Sequence, residues 1–244
     1  MRVWITGGGS GIGAALALHY AQQGHEVWIS GRRAAVLHEV AAQHAQIHIA
    51  PLDVSDPAAV RQGIASLPPI DLAFLNAGIS IHGGALALKA DEVRQVIATN
   101  LLGVTECVAA LLPGMLARSS GHLVLVASVA GYRGLPEAGA YCASKAGVIA
   151  FAESLKIDLM DSPLAVSLVT PGFVDTPMTA KNHFPMPDMI SAPQAAQIIA
   201  REIAAQRFLI TFPWRMAWGM RLIRMLPYPL FFALMRWARR LRQP

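Results

Sequence analysis

The sequence predicts an α/β fold in which a parallel β-sheet lies between two layers of helices. Two observations predict it. Short apolar or β-branched runs alternate with longer segments of helical period, which is the pattern of strands joined by crossover helices. The run Leu123-Val124-Leu125-Val126 is apolar at every position, as expected of a strand covered on both faces. The seven predicted strands are residues 3–6, 27–30, 46–50, 72–75, 122–127, 165–170 and 208–211.

The chain is long enough for one complete domain. Its 244 residues lie near the upper limit for a single hydrophobic core, and no linker-like segment or internal repeat divides them. We predict one α/β domain over residues 1–212 and a C-terminal extension over residues 213–244. Two long helical stretches stand out at 91–116 and 139–160. We expect Pro113-Gly114 to bend or end the first of them, because proline lacks a backbone N–H.

The positive charge is concentrated near the C-terminal end. The formal net charge is +5, but residues 207–244 contain eight arginines and no acidic residue. Residues 1–206 therefore hold 12 basic residues against 15 acidic ones, a net charge of −3. The basic balance describes the final segment alone, so we expect no nucleic-acid partner.

Two further patterns bear on the cellular compartment. The first predicted strand starts directly after Met1, which leaves no room for a signal peptide, so we expect a cytoplasmic protein. Cys107 and Cys142 have neither a CxxC spacing nor metal-ligand spacing, and we interpret both as packing residues. We expect no metal site.

A glycine-rich segment follows the first predicted strand and leads into a helix. Glycines allow a tight turn and the close approach of a pyrophosphate, whose charge is attracted by the free N–H groups at the helix start. By itself the segment could be a simple strand-to-helix connection, but its place in the first βα unit favours a dinucleotide site. The candidate cofactor-binding residues here are Gly7, Ser10, Gly11, Ile12 and Gly13.

A phenol and an ammonium group lie four residues apart in a predicted helix, at Tyr141 and Lys145. This spacing places both on one helical face. A phenol titrates near pH ~10 in water, so it exchanges protons poorly at neutral pH unless a nearby cation stabilises its phenolate. Taken alone, the pair is better explained as two solvated surface residues.

Together these motifs resemble the short-chain dehydrogenases/reductases over about residues 1–210. The family's TGxxxGxG turn is matched by Thr6, Gly7, Gly11 and Gly13, and Leu75 stands where the family often has a second Asn before its NAG element. The other matched residues are Asn76, Ala77 and Gly78 of NAG, then Asn100, Ser128, Tyr141 and Lys145. The intervals of 28 residues from Asn100 to Ser128 and 13 from Ser128 to Tyr141 are typical of the family.

The resemblance implies a single-domain Rossmann fold with strand order 3-2-1-4-5-6-7. It also implies four catalytic roles. Ser128 would hydrogen-bond the substrate oxygen and Tyr141 would pass it a proton. Lys145 would hold the nicotinamide ribose and lower the pKa of Tyr141, and Asn100 would support a water-linked proton path. Hydride transfer would belong to the nicotinamide itself.

The resemblance also indicates further cofactor contacts. Pro171, Gly172, Val174 and Thr176 match the element that closes over the nicotinamide, and Asp53 with Val54 follows the third strand, where the family binds adenine. At the end of the second strand Gly31 stands where NAD-preferring members carry an acid that binds the ribose. Arg32 and Arg33 follow and could bind a 2′-phosphate. We predict NADP(H), the alternative being two surface arginines at a helix start.

The C-terminal extension combines basic and large apolar residues. Its longest uncharged run, 225–235, has eleven residues, against the ~20 needed to span a bilayer. Such a composition is typical of helices at the surface of an anionic leaflet. The alternative is a pair of helices packed over a cleft or on a second subunit, and both can hold. The residues are Arg215, Arg221, Arg224, Arg236, Arg239, Arg240 and Arg242, interleaved with Trp214, Trp218, Leu222, Leu226, Phe231, Phe232, Leu234 and Trp237.

We therefore predict an NADP(H)-dependent oxidoreductase that interconverts a carbonyl and a secondary alcohol and forms a homodimer through the helices of Asn100 and Tyr141. Loop residues that would border the substrate are mostly apolar and suggest an apolar or lipid-like substrate: His82, Phe173, Met178 and Phe184. Two alternatives are a catalytically idle NADP-binding regulator and a membrane-surface protein, each on the same fold. Retention of Ser128 and Asn100 argues against the first, since binding alone requires neither.

Overall fold

The computed structural model describes residues 1–182 and 184–240, with side chains up to residue 237. Seven strands form one parallel sheet in the order β3-β2-β1-β4-β5-β6-β9, which confirms the predicted order of the seven main strands. The strands are β1 (Arg2–Thr6), β2 (Glu26–Ser30), β3 (Ile47–Ile49), β4 (Leu72–Leu75), β5 (His122–Val126), β6 (Ala165–Pro171), β7 (Val174–Asp175), β8 (Ile190–Ser191) and β9 (Leu209–Phe212).

Helices cover both faces of the sheet. They are α1 (Gly11–Gln22), α2 (Ala34–Ala41), α3 (Pro57–Ala65), α4 (Ala90–Ile97), α5 (Gly103–Ala117), α6 (Gly139–Asp158), α7 (Ala192–Ala204), α8 (Trp214–Met225) and α9 (Tyr228–Arg240). Alternate residues of β5 enter two separate cores. Leu123 and Leu125 pack with α5 and α6, while Val124 and Val126 pack with α1 and α7. The uniformly apolar strand predicted from the sequence is therefore buried on both faces.

The first long helical stretch is irregular at a place the sequence did not indicate. Pro113 does not end it, because α5 continues to Ala117, held by Leu111 and Met115, which are buried on either side of the proline. The change in geometry comes earlier, in a π-helical turn at Ala98–Leu102. Such turns place an extra residue in one helical turn. Here the turn contains Asn100.

This stretch, Ala90–Ala117, is long and apolar enough to cross a membrane by length and composition. Its buried side, which includes Val104, Val108 and Met115, packs in the core against the sheet. Core helices of soluble proteins meet the same criteria, so its apolar character is explained by packing.

A short two-stranded sheet of β7 and β8 was not predicted from the sequence. It pairs Val174 with Ile190 and Asp175 with Ser191. Each strand has only two residues, too few for an alternating pattern to be recognised. The pairing ties the loop after β6 to the start of α7, where Ser191 forms a capping box with Gln194.

The stability of this fold should depend on pH through His122. Its ring bonds Ser167 Oγ at 2.9 Å, and burial, aided by Lys156, lowers the pKa of His122 to about 4. In the unfolded chain this histidine is protonated below a pH of ~6.5. The stability that neutral His122 contributes is therefore fully present above that pH and is lost as the pH falls towards 4. We expect a loss of about 3 kcal/mol across this window.

Urea unfolding at about pH 7 and about pH 4 would measure this loss. The His122→Gln variant should lose less stability between the two pH values than the parent protein. His38→Gln changes an exposed histidine of α2 and is the control. An equal pH dependence in the parent and in His122→Gln would contradict the assignment.

Candidate active site

The predicted site residues meet at the carboxyl ends of β1, β4, β5 and β6. The Thr6 hydroxyl joins two of these strands. It donates to the Phe74 carbonyl at 3.3 Å and accepts from the backbone N–H groups of Asn76 and Ala77 at 2.9 and 3.0 Å. Asn76 Nδ2 returns a hydrogen bond to the Thr6 carbonyl at 3.0 Å. The glycine turn and the NAG element are thus fixed against each other.

The glycine turn has a conformation that only glycine adopts easily. Gly7 and Gly11 have φ values of +68° and +54°. A Cβ at Gly13 would overlap the Gly7 carbonyl oxygen, and one at Gly11 would lie 2.8 Å from Thr176 Cγ2. The backbone is therefore bare where α1 begins, and the first turn of α1 holds no acidic residue. This is a cradle that suits the pyrophosphate of a dinucleotide.

The element after β6 faces this turn. Thr176 lies opposite Gly11, and its backbone N–H donates to Thr179 Oγ1 at 3.0 Å. Gly172 N–H donates to the Phe212 carbonyl at 2.7 Å, which ties Pro171-Gly172 to β9. Pro171, Gly172, Val174 and Thr176 thus lie in one segment, which Thr176 brings against the glycine turn.

Beyond the end of β2, Arg32 and Arg33 are both exposed, and α2 begins at Ala34. Neither arginine forms an ion pair within the described part of the chain. Asp53, which follows β3, accepts hydrogen bonds at Oδ1 from the backbone N–H and the hydroxyl of Ser55, at 2.9 and 2.7 Å. This turn holds Asp53 and Val54 after β3.

Asn100 is fully buried, and both polar atoms of its side-chain amide form hydrogen bonds. Its Oδ1 accepts from Ile79 N–H at 2.8 Å, and its Nδ2 donates to the Ile79 carbonyl at 2.9 Å and to Ser144 Oγ at 3.0 Å. The Ser144 hydroxyl donates in turn to the Tyr141 carbonyl at 2.7 Å. The π-helical turn thus connects the loop after NAG with the helix of Tyr141.

Lys145 is 3% exposed, and its Nζ donates to the Val126 carbonyl at 2.8 Å. Burial lowers the pKa of Lys145 to about 8. Nζ lies 5.8 Å from the centroid of the Tyr141 ring. A Cβ at Gly78 would lie 3.5 Å from the same Nζ, so the absence of a side chain there leaves room beside the ammonium group.

Tyr141 and Ser128 complete the group. Burial raises the pKa of the Tyr141 phenol, while a hydrogen bond with the Ser128 side chain opposes this rise. Ser128 Oγ also accepts from Ala130 N–H at 3.1 Å and donates to the Pro171 carbonyl at 3.4 Å. The arrangement can hydrogen-bond a carbonyl oxygen and give it a proton.

Three of the predicted substrate-bordering residues lie together. The His82 and Phe184 ring centroids are 6.4 Å apart, and those of Phe173 and Phe184 are 5.9 Å apart. Met178 is exposed and lies just before the 3₁₀ turn at Thr179–Lys181. The loops after β4 and β6 therefore meet through aromatic side chains.

Sequence reasoning missed Ser144, Tyr132 and Arg133. Ser144 lies inside the Tyr141–Lys145 interval, which was a usable signal. The Tyr132 hydroxyl bonds Thr170 Oγ1 at 2.9 Å, and Arg133 contacts the C-terminal helices. Nothing in the sequence around Tyr132 and Arg133 indicates either contact, because both partners are distant in the chain.

The comparisons with known proteins agree with this geometry. The family model described as short chain dehydrogenase matches residues 1–185. This chain belongs to the short-chain dehydrogenase/reductase family. An oxidoreductase of Myxococcus xanthus is 39% identical over 246 residues, covering 98% of this chain and 96% of the relative.

Solved structures of this family are also similar to the chain. A short-chain dehydrogenase/reductase from Burkholderia phymatum, in complex with NAD, has a TM-score of 0.82 at 26% identity and covers 91% of this chain and 92% of that chain. A serine dehydrogenase complexed with NADP+ has a TM-score of 0.79 at 27% identity, with coverage of 87% and 94%. The family and these neighbours support a nicotinamide cofactor and an oxidoreductase.

The Thr6 hydroxyl should be needed for both stability and cofactor binding. Thr6 is buried, and Thr6→Val leaves the N–H groups of Asn76 and Ala77 without that acceptor. We expect a loss of about 1–3 kcal/mol in the free energy of unfolding, together with weaker NADPH binding measured by fluorescence. Thr6→Ser keeps the hydroxyl and is the matched control. Equal stability and affinity of the two variants would contradict this role.

Proposed function

We propose that the protein is an NADP(H)-dependent oxidoreductase that interconverts a carbonyl and a secondary alcohol, acting on the CH–OH group of its donor substrate. The observation that carries the proposal is the convergence of four side chains beside the glycine cradle. Ser128, Tyr141, Lys145 and Asn100 come from three separate segments and share one hydrogen-bonded region. Family membership supports the reaction class.

In this proposal each side chain has a distinct part. When bound, the nicotinamide supplies or accepts the hydride. The Ser128 hydroxyl hydrogen-bonds the substrate oxygen, and the Tyr141 phenol donates its proton to that oxygen during reduction. A phenol is protonated at neutral pH, as a proton donor requires, but the pKa that burial raises at Tyr141 makes the phenolate costly to form, so a cation must stabilise it.

The buried residues behind them supply position and charge. The Lys145 ammonium group lies near the Tyr141 ring, where it would bind the ribose hydroxyls and stabilise the phenolate left after proton transfer. Asn100 holds the Ile79 backbone and would support the water-linked return of the proton. The cofactor would be held by Gly7, Ser10, Gly11, Ile12, Gly13, Asp53, Val54, Asn76, Ala77, Gly78, Pro171, Gly172, Val174 and Thr176.

The preference for NADP(H) over NAD(H) is also part of the proposal. Structures similar to this one include complexes with NAD and with NADP+, so the choice depends on this chain's own residues. The exposed, unpaired guanidinium groups of Arg32 and Arg33 support NADP(H), since they could bind a 2′-phosphate in bidentate fashion. No carboxylate lies in the sequence between Gly31 and His38 to oppose that phosphate.

A titration of the protein with NADPH and NADH tests this preference. We expect NADPH to bind at least about tenfold more tightly, which is ~1.4 kcal/mol, and Arg32→Asp to remove the difference. Arg94→Asp changes an exposed arginine of α4 and should keep the preference. A preference that survives in Arg32→Asp would contradict the role of Arg32.

Activity itself separates an enzyme from a catalytically idle NADP-binding regulator. Tyr141→Phe removes only the phenolic oxygen, so NADPH binding should persist while turnover falls by a factor of about 10²–10⁴. Oxidation of NADPH in the presence of mixed carbonyl compounds measures turnover. If the parent protein binds NADPH but oxidises it no faster than Tyr141→Phe does, the regulator is the correct interpretation.

We further propose an apolar or lipid-like substrate, supported by the aromatic contacts of His82, Phe173 and Phe184 beside Met178.

The protein would be a homodimer paired through the helices of Asn100 and Tyr141. It would consist of a catalytic domain over residues 1–212 and an amphipathic extension over residues 213–244. We place it in the cytoplasm, in contact with the inner face of a membrane through the extension.

A further inference from the structure

The helix α8 has two apolar faces, and only one of them is covered by protein. Ala217 and Met220 are buried, and Met216 lies against Gly172 of the segment that follows β6. On the opposite side, four large apolar residues form what we call the outer stripe: Trp214, Trp218, Leu222 and Met225, exposed by 70, 58, 57 and 71%. Their spacing of four, four and three residues places them along one face of the helix.

The exposed apolar residues of the helix α9 do not share one face. Tyr228 and Phe232 are 65 and 55% exposed, with their rings stacked at 5.8 Å, while Leu230 and Trp237, 59 and 60% exposed, lie on the opposite side of the helix. A row of large exposed apolar side chains such as the outer stripe marks an interaction surface on a folded chain.

The hairpin of α8 and α9 is fixed in place by Arg133. Its guanidinium group lies 4.5 Å from the ring centroids of both Tyr228 and Phe231. It also donates to the Leu226 and Arg224 carbonyls at 3.0 and 3.4 Å, where α8 ends. Phe231 is only 5% exposed as a result of this packing. The outer stripe is therefore held at a set orientation to the active site.

The charge around the stripe determines what can cover it. Arg215, Arg224 and Arg236 are exposed and Arg221 is half-buried, while residues 207–244 contain no acidic residue. The one ion pair of these arginines within the described residues joins Arg215 to Asp188 at 3.9 Å. Arg239 and Arg240 have no described side chains, and Arg242 lies outside the described residues. A second copy of this face would bring like charges together, whereas an anionic surface complements them.

We infer that the outer stripe of α8 forms a docking surface for an anionic lipid bilayer. The aromatic and aliphatic side chains enter the interface, and the arginines bind the headgroups. Because the inner face of α8 touches Gly172, docking would place the lipid surface one helix away from the segment that is predicted to close over the nicotinamide. The inference rests on the proposed membrane contact and names the surface and the lipid charge that it requires.

Co-sedimentation of the full-length protein with lipid vesicles tests the inference. We expect binding to vesicles of phosphatidylcholine with phosphatidylglycerol, little binding to phosphatidylcholine alone, and release by salt. Trp218→Ser combined with Leu222→Ser should weaken binding at least tenfold. Leu86→Ser is the matched control, because Leu86 is fully exposed in the 3₁₀ turn Ala85–Ala87, outside the C-terminal helices, and should leave binding unchanged.

Several results would overturn the inference. They are equal binding of the double variant and the parent, equal binding to neutral and anionic vesicles, and sedimentation without lipid through self-association of the stripe. NADPH affinity, measured on the same samples, checks that the variants are folded. It also separates the proposed function from the proposed docking surface. If the parent protein does not bind NADPH, the proposed enzyme is refuted, while vesicle binding alone decides the docking surface.

Discussion

The close approach of β1 and β4 at their carboxyl ends is the constraint on which the active site depends. Thr6 and Asn76 hold the two strand ends together, and the glycines of the turn allow the backbone to pass where any side chain would collide. This approach leaves the start of α1 bare for a dinucleotide. It also sets the position of Gly78, whose missing side chain leaves room beside Lys145.

A second layer of constraint is the burial of polar groups behind the reacting side chains. Buried amides and ammonium groups are costly unless each is hydrogen-bonded. Asn100 meets this requirement through Ile79 and Ser144, and Lys145 through the Val126 carbonyl. Asn100 lies in the π-helical turn, and from there it reaches both Ile79 and Ser144.

The C-terminal hairpin builds on this core. Because α8 packs against the loops at the carboxyl edge of the sheet, the extension lies beside the chemistry. Arg133 joins the loop after Ser128 to the hairpin, and Tyr132 joins the same loop to β6. One short segment therefore connects Ser128 with the surface we propose for lipid.

The sequence by itself determined the layered fold, and its resemblance to a family implied the order of the main strands and the candidate site residues. These depend on local patterns: apolar periodicity, glycines in a turn, and fixed intervals along the chain. Of the two outcomes predicted for Pro113, a bend or an end of the helix, the end does not occur, because α5 continues to Ala117. The π-helical turn, the contacts of Ser144 and the Arg133 clamp were decided only in the tertiary structure.

The same holds for the extension. Its composition indicated an amphipathic segment, but composition assigns no face to the core. Packing of Ala217 and Met220 turned one side of α8 inwards and left Trp214 and Trp218 exposed. The physical reason is that local patterns fix which elements form, whereas the partner of each buried or exposed side chain depends on residues far away in the chain.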